Sequence, residues 1–202
     1  MTRVAPVRGI LLAAGAARRF GGGKLLRCPP GTTTPLVVSA WRNLVAVLPQ
    51  SLAVCRPGDD ALAVLFENHG IDYVTCAQAA LGMGNSLACG VSAARPASGW
   101  LIALGDMPSV DPGSIAAVAR ALEAGSDIAV PTYGGQRGHP VGFAKRFGAA
   151  LMALRGDDGA RTVVRENSES LQLVPVDDAG ILADVDTAED LARLFQNQRG
   201  GT

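Results

Sequence analysis

The stretch Val7–Leu26, VRGILLAAGAARRFGGGKLL, constrains this chain more than any other part of it. Val7–Ala13 is a short apolar run that reads as a buried strand, and glycines and cations follow it without a break. Gly15, Gly21, Gly22 and Gly23 let the backbone bend tightly and approach a ligand with no side chain in the way. Arg18, Arg19 and Lys24 bring three positive charges to the same bend. Backbone N–H groups in such a bend can converge on an anion, and Arg or Lys can neutralise it. Strand, glycine-rich loop and cations together describe a phosphate cradle; the bland alternative is an ordinary βα turn with solvated basic residues.

The spacing excludes two familiar nucleotide loops. A Walker A loop needs Ser or Thr after its lysine, and here Leu25 follows Lys24. The dinucleotide fingerprint G-x-G-x-x-G fails because Ala17 and Phe20 stand where two of its glycines belong, which also counts against a redox enzyme. The 202 residues suit one domain. Formal net charge is zero, so the chain has no general attraction to nucleic acid or anionic membrane, and any anion site must be local. No apolar run reaches the ~20 residues that span a bilayer, and no signal peptide is recognised, so a cytoplasmic protein is expected. Cys28, Cys55, Cys76 and Cys89 form no C-x-x-C pair; Cys55 and Cys76 end apolar runs and read as small buried hydrophobes.

Further along, strands and helices alternate. Thr34 is expected to cap a helix that Pro35 begins and that runs to about Leu48. Ser51–Cys55 reads as a strand, Asp60–Asn68 as a helix and Asp72–Thr75 as a third strand. A Gly82-Met83-Gly84 turn leads to a helix from about Ser86 to Ala94, then a fourth strand, Trp100–Leu104. Pro112 begins a helix to about Ala124, and Asp127–Val130 is a fifth strand. This rhythm predicts an α/β fold, a mostly parallel sheet with helices on both faces. Tyr133–Gly138 looks like a hairpin or mobile loop inserted after the fifth strand, returning through His139–Phe143. Lys145–Leu154 and Arg161–Asn167 read as short helices, Leu171–Val176 as a strand and Thr187–Gln196 as a capped terminal helix.

In such a sheet, ligands bind beyond the carboxyl ends of the strands. The glycine-rich loop falls there, and so does Gly105-Asp106 after the fourth strand. Asp106 places a hard oxygen ligand beside the expected phosphates, which suits Mg²⁺; otherwise it caps the next turn. Asp184 and Asp186 alternate around Val185 as in a strand and so share a face, although Asp186 could equally serve the N-terminus of the last helix.

The loop Leu12-Ala13-Ala14-Gly15-Ala16-Ala17-Arg18-Arg19-Phe20-Gly21-Gly22-Gly23-Lys24 resembles L-A-A-G-x-S-x-R-M-G-x-x-K, the signature of nucleotidyltransferases with a Rossmann-like domain. Ala17 replaces its serine and Phe20 its methionine. Leu104-Gly105-Asp106-Met107-Pro108 is similar to that family's metal-binding motif. Gly82-Met83-Gly84-Asn85-Ser86-Leu87, Gly138-His139-Pro140-Val141, Gly156–Arg161 and Asp184–Asp190 resemble segments of the molybdenum cofactor cytidylyltransferases and their relatives, in order along nearly the whole chain. The resemblance implies a three-layer α/β/α fold, with a nucleotide-binding part at about 7–110 and an acceptor-binding part at about 127–197, and Mg²⁺-dependent transfer of CMP from CTP to molybdopterin, with pyrophosphate leaving. It implies Arg19, Lys24 and Asp106 as catalytic, and Leu12, Ala13, Ala14, Gly15, Arg19, Lys24, Gly82, Asn85, Ser86 and Asp106 as nucleotide-binding. It implies His139 and Arg161 as acceptor-binding, Asp106 with Asp186 as metal ligands, and a molybdoenzyme of the xanthine dehydrogenase type as onward partner. Arg18-Arg19-Phe20-Gly21-Gly22 is also similar to the sister guanylyltransferases, so a GTP-using enzyme is the rival within the class; a non-catalytic cofactor-binding accessory protein is the rival outside it.

Overall fold

The structure is a computed structural model that describes residues 5–15, 20, 22–157 and 159–199. Ala16–Arg19 and Gly21 of the glycine-rich loop, Asp158, and the last three residues lie outside these. The first strand, β1 (Val7–Leu12), is central, with β2 (Leu52–Cys55) and then β3 (Tyr73–Thr75) to one side and β4 (Gly99–Leu104) to the other, all parallel. Its residues alternate between the sheet's two faces: Leu11 packs in one apolar cluster and Ile10 in the other, and neither touches solvent.

Helices α1 (Leu36–Val45), α2 (Asp60–Asn68) and α4 (Pro112–Glu123) cover Leu11's face through Val37, Leu44, Leu62, Phe66, Ile115 and Val118. Helices α3 (Met83–Ala93), α5 (Gly148–Met152) and α6 (Arg161–Glu166) cover the opposite face through Leu87, Val91, Leu151 and Val163. The three layers expected from the strand–helix rhythm are present. Beyond β4 the sheet becomes mixed. Strand β5 (Ile128–Tyr133) turns back at Gly134-Gly135 into β6 (Gln136–Arg137) and β7 (Val141–Ala144), two segments of one return strand. That return runs antiparallel between β5 and β4, while β8 (Leu171–Pro175) pairs with β5 in parallel along its other edge.

Three local expectations need correction. Helix α1 starts at Leu36 with Pro35 at the cap position and no side-chain cap from Thr34, because the Leu36 N–H is satisfied by Arg27 O at 2.9 Å. Helix α3 starts at Met83 rather than Ser86, because Gly156 O accepts the Gly84 N–H of its first turn at 2.8 Å. Asp184–Asp186 is irregular rather than a strand: Val185 is buried, Asp184 is exposed and only Asp186 joins the cleft. Helix α7 (Ala188–Arg199) does carry the expected cap, with Thr187 Oγ1 accepting from Asp190 N–H and Asp190 Oδ2 accepting from Thr187 N–H.

Candidate active site

Lys24 opens a 3-10 turn, Lys24–Leu26, whose Leu25 and Leu26 pack on the core. Those two leucines anchor the turn, and the lysine between them and Gly23 is left to face the sheet's carboxyl end. Lys24 is buried, only 8% exposed, and its ammonium lies 2.7 Å from Asp106 Oδ2 and 3.2 Å from Asp186 Oδ1. Burial by itself lowers the Lys24 pKa, but the hydrogen bonds and charges of Asp106 and Asp186 outweigh it and hold the pKa above the ordinary 10.5. Lys24 is therefore a fixed cation.

The two carboxylates meet because the chain ties their backbones together. Gly105 N–H donates to Leu12 O at 3.0 Å, which sets the end of β4 beside the end of β1. Val185 N–H donates to Asp106 O at 3.0 Å, so the residue after it arrives next to Asp106. Residues 80 positions apart thus surround one cation position. Their donor set suits a divalent metal, since Mg²⁺ typically takes one or two carboxylates and fills the rest of its shell with phosphate oxygens and water. Among the described residues no group of three or more His, Cys, Asp or Glu side chains could hold a metal by itself.

Above this position is a cleft of about 670 Å³. The ends of β1 and β4 form its floor, and Gly82, Met83 and Ser86 at the start of α3 form a wall. Gly82 has φ +127°, and a Cβ there would lie 2.3 Å from the Gly156 carbonyl, so no other residue lets the two segments touch. Asn85 completes the clamp: its Oδ1 accepts from Gly156 N–H at 2.9 Å and its Nδ2 donates to Gln78 Oε1 at 3.2 Å.

Of the residues singled out in the sequence, the cleft brings together Leu12, Ala13, Ala14, Gly15, Lys24, Gly82, Ser86, Asp106 and Asp186. Arg19 lies outside the described residues. Asn85 stands behind the wall, 5% exposed, its amide spent on the clamp. Arg161 is exposed at the start of α6, outside the cleft lining. His139 is half-buried, with an Nδ1 that is sealed from solvent and has no hydrogen-bond partner among the described residues. Burial lowers its pKa, helped by Arg161 and opposed by Asp106, Asp184 and the Ile102 carbonyl. Phe20, Arg56 and Asp157 are among the lining residues not singled out as site residues in the sequence. Arg56 follows the second strand and was findable, because in a parallel sheet every strand's carboxyl end borders the crevice.

A family model described as the MobA-like NTP transferase domain matches residues 9–172. Nicotine blue oxidoreductase of Paenarthrobacter nicotinovorans is 30% identical, covering 94% of this chain and 96% of that protein. Purine catabolism protein PucB of Bacillus subtilis (strain 168) is also 30% identical, over 90% of this chain and 92% of its own length. Among solved structures, Rv0371c from Mycobacterium tuberculosis H37Rv superposes with a TM-score of 0.82 at 25% identity, over 96% of this chain and 100% of that one. The same protein complexed with manganese gives 0.77 at 26% identity, over 95% and 98% of the two chains.

Proposed function

The chain belongs to the MobA-like NTP transferase domain family, and on that premise we propose that it transfers CMP from CTP to a molybdopterin-type cofactor. The observation that carries the reading is the convergence of Asp106 and Asp186 on one cation position at the foot of a cleft whose floor is the LAAG segment. An oxygen of the acceptor's phosphate attacks the α-phosphorus of the nucleotide. The bond from that phosphorus to the bridging oxygen breaks, and pyrophosphate leaves with the electron pair.

Such a displacement asks the protein for alignment and for neutralisation of charge. Lys24, charged at neutral pH, neutralises the leaving pyrophosphate, a role the family motif also gives to Arg19. Backbone around Ala14 and Gly15 cradles the phosphates, and Gly82 and Ser86 border the rest of the nucleotide. Asp106 and Asp186 would hold Mg²⁺, which when bound screens the triphosphate's charge and polarises the α-phosphoryl group. The acceptor lies toward His139 and Arg161, in the part of the chain from about 127 to 197. The G-H-P-V and G-D-x-G-A-R segments favour the cytidylyl branch over the guanylyl one. We place the reaction in the cytoplasm, with a molybdoenzyme of the xanthine dehydrogenase type as the product's destination.

The test is incubation with each NTP, Mg²⁺ and molybdenum cofactor while pyrophosphate release is measured. CTP is expected to give the fastest release. Fastest release with GTP moves the protein to the guanylyl branch. Cofactor binding with no pyrophosphate from any NTP replaces the transferase by a carrier, and oxidation of NAD(P)H instead would favour a redox activity like the one in the Paenarthrobacter relative's name.

A further inference from the structure

The loop after β2 reads Arg56-Pro57-Gly58-Asp59. Pro57 fixes its own φ, and Gly58 takes φ +74°, the left-handed value required at the third position of a type II turn. The turn folds Asp59 back onto Arg56, whose Nε lies 3.2 Å from Asp59 Oδ2. A guanidinium is a planar fork of five N–H donors with no acceptor. Asp59 pairs with the Nε edge as an ion pair, and among the described residues the two terminal nitrogens make no hydrogen bond, on a side chain that lines the same cleft as Lys24 and Asp106. The arginine is 35% exposed and its partner 22%, so the head is held in place while a ligand can still reach it.

Its position within the cleft decides what it meets. Strand order places β2 on one side of β1 and β4 on the other, so Arg56 and Asp106 leave the sheet two strand spacings apart, about 10 Å. The triphosphate is claimed by Lys24 and the two carboxylates at the β1–β4 side. Arg56 stands across β1 from them, toward Ala79, Ala80 and Gly82, where the base of the same nucleotide must go.

We infer that Arg56, oriented by Asp59, selects the nucleotide by donating two N–H groups to a base edge that carries two adjacent acceptors. This deepens the proposed transfer reaction and rests on it for the placement of the triphosphate. Cytosine offers O2 and N3, and guanine offers O6 and N7. Uracil puts an N–H between its two carbonyls, and adenine sets an amino donor beside its acceptors, so neither satisfies a fork that can only donate. Lysine at this position would keep the charge and lose the fork.

The test measures equilibrium binding of CTP, UTP, GTP and ATP, each with Mg²⁺, to the wild-type protein and to R56K, R56Q and D59N. Wild type should bind CTP about tenfold or more tightly than UTP, the scale of one good bidentate pair, with GTP ahead of ATP. R56K and R56Q should bring the CTP-to-UTP ratio to within about threefold, the Lys variant keeping the greater absolute affinity. D59N touches no nucleotide, and its side chain caps no helix N–H, so it should fold normally and still lower the ratio. Equal wild-type affinity for CTP and UTP overturns the inference, as does an unchanged ratio in R56K and D59N. An equal loss for all four nucleotides in R56Q overturns it too, by making Arg56 a phosphate ligand. Because these are binding ratios, a protein that selects CTP yet releases no pyrophosphate keeps this inference and sinks the transfer reading.

Discussion

Replacing Lys24 by alanine removes a cation that, among the described residues, pairs with both Asp106 and Asp186, and so tests what the two carboxylates are for. Their oxygens lie 2.7 and 3.2 Å from the same nitrogen and hence no more than about 6 Å from each other. Two unit charges at that separation repel by about 3 kcal/mol at an effective dielectric of about 20. The carboxylates are 24% and 34% exposed, so water takes up part of this, and a loss of about 1–2 kcal/mol is expected. For a chain of this size that lowers the melting temperature by about 2–8 °C. Manganese without nucleotide should then rescue Lys24→Ala, returning about 2.7 kcal/mol at a hundredfold excess over its dissociation constant. Wild type should respond far less, because the ion would have to displace an ammonium whose own pKa is raised by the same two partners. Transfer by the variant should meanwhile fall about 10²-fold or more, the scale for one lost charge stabiliser. Differential scanning fluorimetry with and without Mn²⁺ reads the first part and pyrophosphate release the second. A Lys24→Ala protein that melts like wild type and ignores Mn²⁺ would refute the idea that the two aspartates build a cation position.

Asp106→Asn keeps the shape and removes one charge, so it should cut turnover by about 10²-fold or more while weakening molybdopterin binding much less, as read by pyrophosphate release and by cofactor titration. Gly82→Ala meets the Gly156 backbone and a positive φ at once; it should cost about 1–3 kcal/mol in urea unfolding and weaken nucleotide binding by opening the α3 wall. His139 has a folded-state pKa below its ordinary 6.5, chiefly from burial, so its unfolded form binds protons more readily. Stability should accordingly be complete above about pH 6.5 and decline as the pH falls toward the folded pKa; His139→Gln, measured by metal-free urea unfolding, should flatten that acid arm.

The parts of the fold legible in sequence were those where one local signal decides. Val7–Leu12 is apolar except for Arg8 near its start because both faces of the central strand are covered, and Pro112 behind Asp111 starts α4 as a proline behind a capping aspartate should. The parts that were misread depend on a partner distant in sequence. Nothing near Pro35 says that Arg27 will accept the Leu36 N–H, and nothing near Gly84 says that Gly156 will take the first free donor of α3. The same holds for Asp184–Asp186, whose alternation suggests a strand, whereas among the described residues its backbone tie is the single bond from Val185 N–H to Asp106 O.

The candidate site divides along the same line. Lys24 and Asp106 announce themselves by residue type beside a strand end, but Asn85 was singled out with a motif whose structural purpose is packing. The Gly82–Asn85 segment and the Gly156-Asp157 segment each resemble family motifs, and the structure shows that they are two halves of one clamp. A residue can therefore sit inside a family motif and serve the cleft by fixing its wall rather than by lining it. Arg56 is the converse case. It belongs to none of the motifs read from the sequence, yet a strand end, a proline, a positive-φ glycine and an aspartate hold its guanidinium at the cleft. Sequence motifs single out the chemistry that relatives share, whereas choice among nucleotides can rest on a side chain that only the sheet order brings within reach.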